Sequence, residues 1–252
     1  TQTSQIILHL SHKESIKLRN CYFGWKQKCL HCNVKKTEAM SFNQAKDTQI
    51  KSINNKPIKY VENFRYLGGW MESSSKDIEI RKALGWAACN KLKKVWRSSM
   101  NRVMKIRLFK VTVEWVLLYG SETWSATATL DKRLNGCYTR LLRMALNISW
   151  RSHTTNANLY GNLPLISDTI KSRRMRIAGH CVRHQDEIAS RLILWKPKHG
   201  RANRGRQPTT YTDILLKDSE ADNLAELKTM MLNRDDWKKK VETSFRAGAR
   251  LK

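Results

Sequence analysis

From Ser75 onward, apolar residues recur at helical spacing, and this pattern constrains the fold more than any other feature of the chain. Side chains three or four positions apart share one face of a helix, whereas a strand alternates every second residue. Ile80, Ala83, Leu84, Ala87, Ala88, Leu92, Val95 and Trp96 predict the apolar stripe of a first helix, with Ser74 and Asp77 as a capping pair at its start. A second helix is expected over 103–119. Leu130, Leu134, Cys137, Tyr138, Leu141, Leu142, Ala145 and Leu146 give the cleanest stripe of all. These three helices read as a small bundle. Asn162-Leu163-Pro164 breaks the chain before a fourth helix, 165–184, whose exposed face is expected to carry Lys171, Arg173, Arg174, Arg176 and Arg183. A shorter helix ends at Trp195. A basic Gly/Pro loop over 196–208 follows, with Lys196, Lys198, Arg201, Arg204 and Arg206. The tail, 209–246, returns to helix with Tyr211, Leu215, Leu227, Met231 and Trp237 among its apolar contacts.

The first 75 residues read differently. Leu18, Cys21, Tyr22, Trp25 and Cys29 form one helical stripe. Residues 38–42 then read as a strand. Thr48–Ile53 and Pro57–Val61 flank Asn54-Asn55, a pair that tolerates the positive φ of a tight hairpin. Phe64–Met71 reads as another strand. The fold class is therefore α+β, mostly α: a small sheet remnant, then a helical bundle, then a basic helical tail.

Charge limits the partners. The chain holds 48 Lys and Arg against 21 Asp and Glu, a formal charge of +27. That excess repels itself in a compact fold, and a polyanion is its usual counterpart. RNA, DNA and the RNA–DNA hybrid are the expected partners. A membrane is not, because the longest apolar run, Val111 to Tyr119, is short and interrupted by Glu114. Nor does the start carry an apolar stretch long enough for a secretory signal. The six cysteines fall mainly on helical stripes, as in reduced, intracellular proteins.

Two short motifs carry most of the chemical information near the start. Asn33-x-x-Lys36-Thr37 is followed about thirty residues later by Tyr66-Leu67-Gly68-Gly69. Further on come Leu118-Tyr119-Gly120-Ser121-Glu122-Thr123-Trp124, then Arg140-Leu141-Leu142-Arg143, then Ile148-Ser149-Trp150-Arg151. Arg173-Arg174-x-Arg176-x-x-Gly179-His180-x-x-Arg183 is next, and Gly205-Arg206-Gln207-Pro208-x-x-Tyr211-x-Asp213 and Asn233-Arg234-Asp235-Asp236-Trp237 close the series. In that order and spacing the chain resembles the C-terminal part of a non-LTR retrotransposon (RTE-like, LINE) endonuclease-reverse transcriptase, over residues 29–241. Gln207 is an insertion relative to the family pattern, and Tyr211 stands where the family has Trp.

The resemblance implies residues 1–75 as the end of a polymerase palm, 76–150 as a helical thumb and 151–252 as a basic helical C-terminal region. It implies that Lys36 handles the leaving phosphates as an auxiliary catalytic group, where charge accumulates in the transition state. It makes Tyr66, Leu67, Gly68 and Gly69 a primer grip, and Lys82, Gly85, Trp86 and Lys91 the thumb's contact with a hybrid. The basic helix and loop named above would hold RNA or target DNA, so charge reversal at Arg173, Arg174 and Arg176 is expected to weaken binding. Mg²⁺ belongs to the intact parent, whose catalytic aspartates would lie upstream with the rest of the palm, the fingers and the endonuclease. The chain alone is thus expected to bind nucleic acid, to need no cofactor and to lack polymerase activity. Its expected location is intracellular and, by resemblance, nuclear.

Other readings of the same residues remain. The chain reads equally as a stand-alone, non-enzymatic helical binding protein, or as the relic of a dead element. A zinc-dependent nuclease would draw on Cys29-Leu30-His31-Cys32 or His180-Cys181-x-x-His184, but a second CxxC is lacking and no metal ligand is assigned. Trp70, beside the Gly-Gly pair, is the tryptophan placed nearest a primer contact. Most of the others sit on helical stripes.

Overall fold

A computed structural model describes residues 38–39, 59–61, 64–66, 68–70, 74–125, 127–186, 188–195 and 209–247. The chain divides into two compact units, residues 1–73 and 74–252. In the first, β1 (Glu38–Ala39) pairs in parallel with β2 (Lys59–Tyr60), and Lys59 Nζ lies 3.2 Å from Glu38 Oε1. The second strand expected over 57–61 is therefore not a hairpin arm in its described part. A parallel partner needs a long crossover instead of a tight turn. The expected partner, 48–53, lies outside the described residues, as does the predicted helix over 14–29. β3 (Arg65–Tyr66) and β4 (Gly69–Trp70) pair antiparallel, so the single strand expected over 64–71 is a hairpin. Gly68 at φ +86° turns the chain there, a conformation costly for any residue with a Cβ.

The second unit is helical among its described residues. α1 (Ser74–Lys91) continues after Leu92 into the single turn α2 (Lys93–Trp96). α3 (Arg102–Phe109) starts at Asn101, whose side chain accepts from the Met104 N–H at 2.8 Å. It widens into a π-helical segment, Lys110–Glu114, and ends in α4 (Trp115–Leu117). Gly120 at φ +75° closes this run, and a 3₁₀ turn, Ser121–Thr123, follows. α5 (Ala128–Ala145) is capped by Thr127. α6 (Asn156–Tyr160) and α7 (Ile166–Arg183) come next, then the short α8 (Ile188–Leu192). The tail, expected as one helical stretch, is broken into α9 (Tyr211–Ser219), α10 (Leu224–Leu232) and α11 (Arg234–Ala247). Glu220 at φ +57° ends α9, and Asn233 separates the last two helices. No helix among the described residues is long and apolar enough to cross a membrane.

α5 buries Leu130, Leu134, Cys137, Tyr138, Leu141, Leu142 and Ala145, seven of the eight positions predicted for its stripe. α1 departs from its prediction. Ala83, Leu84 and Ala87 are exposed, and the buried face is Asp77, Ile78, Arg81, Gly85 and Cys89. The cause lies at the start of the helix. Ser74 and Asp77 do not form the expected capping pair. The Ser74 hydroxyl accepts from the Ser125 N–H at 3.0 Å, and Asp77 Oδ2 accepts from Trp124 Nε1 at 2.7 Å. Both contacts turn the polar start of α1 inward and rotate the stripe.

Two hydrophobic cores result. The first gathers Ile78, Trp96, Phe109, Leu117, Trp124 and Leu141 from α1 through α5, together with Ile166 and Ile170 from the start of α7. The second gathers Met175, Ala178 and Val182 from the end of α7 with Leu215, Leu227, Met231 and Trp237 of the tail helices. α7 is thus one rod shared by both cores.

Candidate nucleic-acid interface

α1 and α5 lie side by side, and the flank between them is a shallow groove. Lys82 and Trp86 form one wall, and Lys132, Arg133, Gly136 and Arg140 form the other, with Cys137 at the base. None of these lining residues is acidic. Lys82 is loosely held by Glu79, one turn away, at 3.8 Å. Gly136 has open space where a Cβ would project, which lets a ligand backbone approach α5 closely. Burial pushes the Cys137 thiol up, while Lys82, the Trp86 hydrogen bond and Arg140 pull it down. The net rise keeps it a thiol near neutrality, a wall residue and not a nucleophile. Beyond α1 the flank continues into a second hollow lined by Lys93, Arg97, Arg143, Asn147 and Ser149 among others.

Lys82 and Trp86, two of the residues expected to contact a hybrid, are half-buried and line this groove, and Lys91 is exposed. Gly85 is a correction. It is buried, and a Cβ there would lie 3.5 Å from Leu117 Cδ1 and 3.6 Å from Leu141 Cδ1, so it brings α1 against its neighbours and faces no ligand. Lys132, Arg133 and Arg140 also line the groove and were not singled out from the sequence. Their positions on the flanks of the α5 stripe were readable, but the pairing of α5 with α1 was not.

The predicted basic face of α7 needs a larger correction. Arg174 is 5 % exposed and pairs with Asp218 of α9. Arg173 donates to the Leu118 carbonyl at 3.3 Å and lies 3.6 Å from Glu122. Arg183 donates to the Met231 carbonyl at 2.8 Å. These arginines brace helices, since a guanidinium satisfies buried carbonyls and carboxylates through several donors at once. Lys171 is half-buried, and Arg176 alone of the predicted set is fully at the surface. Gly179 has the same structural purpose: a Cβ there would fall 2.5 Å from Trp237 Cδ1 of α11. Trp237 is buried and donates from Nε1 to the Met175 carbonyl at 2.8 Å.

Other motif residues are structural as well. Thr210 and Asp213 make a capping box at α9, and the Tyr211 hydroxyl donates to the Glu122 carbonyl at 3.1 Å. Asn233 caps α11 by accepting from the Asp235 and Asp236 N–H groups, which makes Asp235-Asp236 a helix start. Carboxylates also gather beside Arg174. Burial pushes Asp131 and Asp218 up, opposed by Arg174, and burial pushes Asp168 up, opposed by Lys171.

Of the residues expected to form a primer grip, Gly68 and Gly69 are half-buried at the β3–β4 turn, as is the neighbouring Trp70. Tyr66 lies on β3, and Leu67 lies outside the described residues. Lys36, Lys196, Lys198, Arg201, Arg204 and Arg206 lie outside them too, with Cys29, His31 and Cys32. No group of three potential metal ligands converges among the described residues. His180 and His184 place their rings 4.3 Å apart, both exposed.

Comparison with known proteins adds an origin. The chain is 24% identical over 233 residues to a Caenorhabditis elegans protein described as transposon-derived, an alignment that covers 84% of each chain. That similarity supports a transposable-element origin. No family model and no solved structure matches the chain.

Proposed function

We propose that this chain is the nucleic-acid-holding C-terminal part of a non-LTR retrotransposon reverse transcriptase. In this reading residues 1–75 are the end of the palm and the α1–α5 bundle is the thumb. The observation that carries it is the groove between α1 and α5, whose lining joins four cations and one tryptophan without a carboxylate. Such a surface attracts phosphates by counterion release and presents a flat apolar wall beside them. The ordered motifs and the transposon-derived relative support the same reading. The groove would take the backbone of an RNA–DNA hybrid, and Lys36 and the 196–206 loop would add contacts to phosphate. Mg²⁺ and the catalytic aspartates would belong to the upstream palm, and the intact parent would work in the nucleus.

Titration of labelled RNA–DNA hybrid, duplex DNA, duplex RNA and single strands at several salt concentrations tests this. Tightest binding to the hybrid supports a thumb. Equal, steeply salt-dependent binding to all four would sink the hybrid reading and leave charge without shape recognition.

A second reading is a non-enzymatic binding protein descended from an element. It is favoured by the relative itself, which must be of similar length because one alignment covers the same share of both chains. An upstream frame encoding the aspartate-bearing strands, read from the flanking DNA, would decide for the first.

A further inference from the structure

The run from the π segment through α4 carries a feature that duplex binding does not explain. Trp115 is 64% exposed, Tyr119 51% and Val111 67%, and they follow one another at four-residue intervals from the π segment through α4 to Gly120. A tryptophan so exposed loses the burial that usually stabilises it, and a run of such residues marks an interaction surface. Cations attend these rings. The Arg81 guanidinium lies over Tyr119 at 4.4 Å, and that of Arg173 is 6.0 Å from the Trp115 ring centre. Arg107 and Lys110 are exposed just before Val111. The nearby carboxylates are occupied: Glu114 accepts from the Tyr138 hydroxyl at 2.8 Å, and Glu122 faces Arg173.

We propose that this face is a second nucleic-acid site, one that takes a single strand by stacking unpaired bases on Trp115 and Tyr119. The choice of occupant follows from charge and shape. A second copy of the chain would bring the same formal charge of +27 and be repelled. A duplex keeps its bases stacked on one another and offers the rings nothing flat. An unpaired strand supplies both counterparts, π faces for the two rings and phosphates for the exposed Arg107 and Lys110, while Arg81 and Arg173, held by internal partners, back the rings from the protein side. The groove and the rings would then hold paired and unpaired portions of one substrate.

The test is a pair of variants of the full chain, Trp115→Ala alone and Trp115→Ala with Tyr119→Leu, titrated with labelled oligo(U) or oligo(dT) and with a hybrid of equal length. Removing each stacking ring is expected to lower single-strand affinity by about 5- to 100-fold, with hybrid affinity changed less than about threefold and melting temperature unchanged for Trp115→Ala. Quenching of tryptophan fluorescence by the single strand should shrink in Trp115→Ala. Single-strand affinity and quenching equal to wild type would overturn the proposal. So would a wild-type chain that is dimeric and becomes monomeric on substitution, since the face would then be covered by another copy. Loss of hybrid binding in these variants to the same degree as single-strand binding would also overturn it.

Discussion

The flank between α1 and α5 and the face of α7 have similar basic sequences and opposite physical roles. On α7, Arg173, Arg174 and Arg183 point at carbonyls and carboxylates of neighbouring helices and lock the two cores onto one rod. On the α1–α5 flank, Lys132, Arg133 and Arg140 line a groove without acidic residues and remain at the surface. Cation density therefore says little about binding. Decisive is whether each positive group has an internal partner, and on that criterion the α1–α5 flank, and not the described face of α7, is the surface we propose for nucleic acid.

The comparison breaks most sharply at Arg174. Arg174→Ala should strand the half-buried Asp218 carboxylate and cost about 3 kcal/mol in chemical denaturation. A loss below about 1 kcal/mol, as at an exposed pair, would return Arg174 to the surface. Next comes Gly179→Ala, which forces a methyl into Trp237 and should cost about 1–3 kcal/mol. The penalty should fall in a Trp237→Phe background, so a double-mutant cycle that shows no coupling would refute the close approach of α7 and α11.

On the other side of the comparison, Lys132→Ser, Arg133→Ser and Arg140→Ser together should leave stability within about 0.5 kcal/mol, as expected of surface positions. Their effect should appear in binding, where the salt slope drops by about 0.9 for each phosphate that the groove no longer neutralises. The smallest effect is in pH dependence. Asp131, Asp168 and Asp218 have folded pKa values above the ordinary 3.8, so the folded state holds their protons more tightly than the unfolded chain does. Their contribution is most favourable below the ordinary carboxylate pKa and is lost as pH rises through the raised values. Wild type should therefore lose more stability than Asp131→Asn between about pH 4 and about pH 7. Parallel thermal-melt profiles for the two would contradict this.

How much was legible varied with the chemistry of the buried face. α5 was read almost completely, because its core side is large and apolar at regular spacing. α1 was read only in part: Ala88, Leu92 and Trp96 of its predicted stripe reach the core, but Ala83, Leu84 and Ala87 do not, because the core face includes Asp77, Arg81 and Gly85, which no hydrophobic pattern detects. The tail helices were visible as apolar contacts, but the break at Glu220 was not, since a non-glycine residue at φ +57° leaves no compositional mark. Motif spacing located Gly179, Tyr211, Asp213 and Trp237 as special and assigned the surrounding segment to ligand binding. Their surroundings show packing, a cap and interhelix hydrogen bonds instead. The groove could not be assembled from one sequence, because it depends on which helix lies beside α1.

The most direct measurement is the salt dependence of hybrid binding for wild type beside the Lys132→Ser, Arg133→Ser, Arg140→Ser variant, with a melting curve for each. If the groove holds the nucleic acid, the variant binds more weakly, its slope is lower by roughly 0.9 for every phosphate left unneutralised, and both proteins melt together. An unchanged slope and affinity in a variant that melts like wild type would show that the nucleic acid lies elsewhere on the chain.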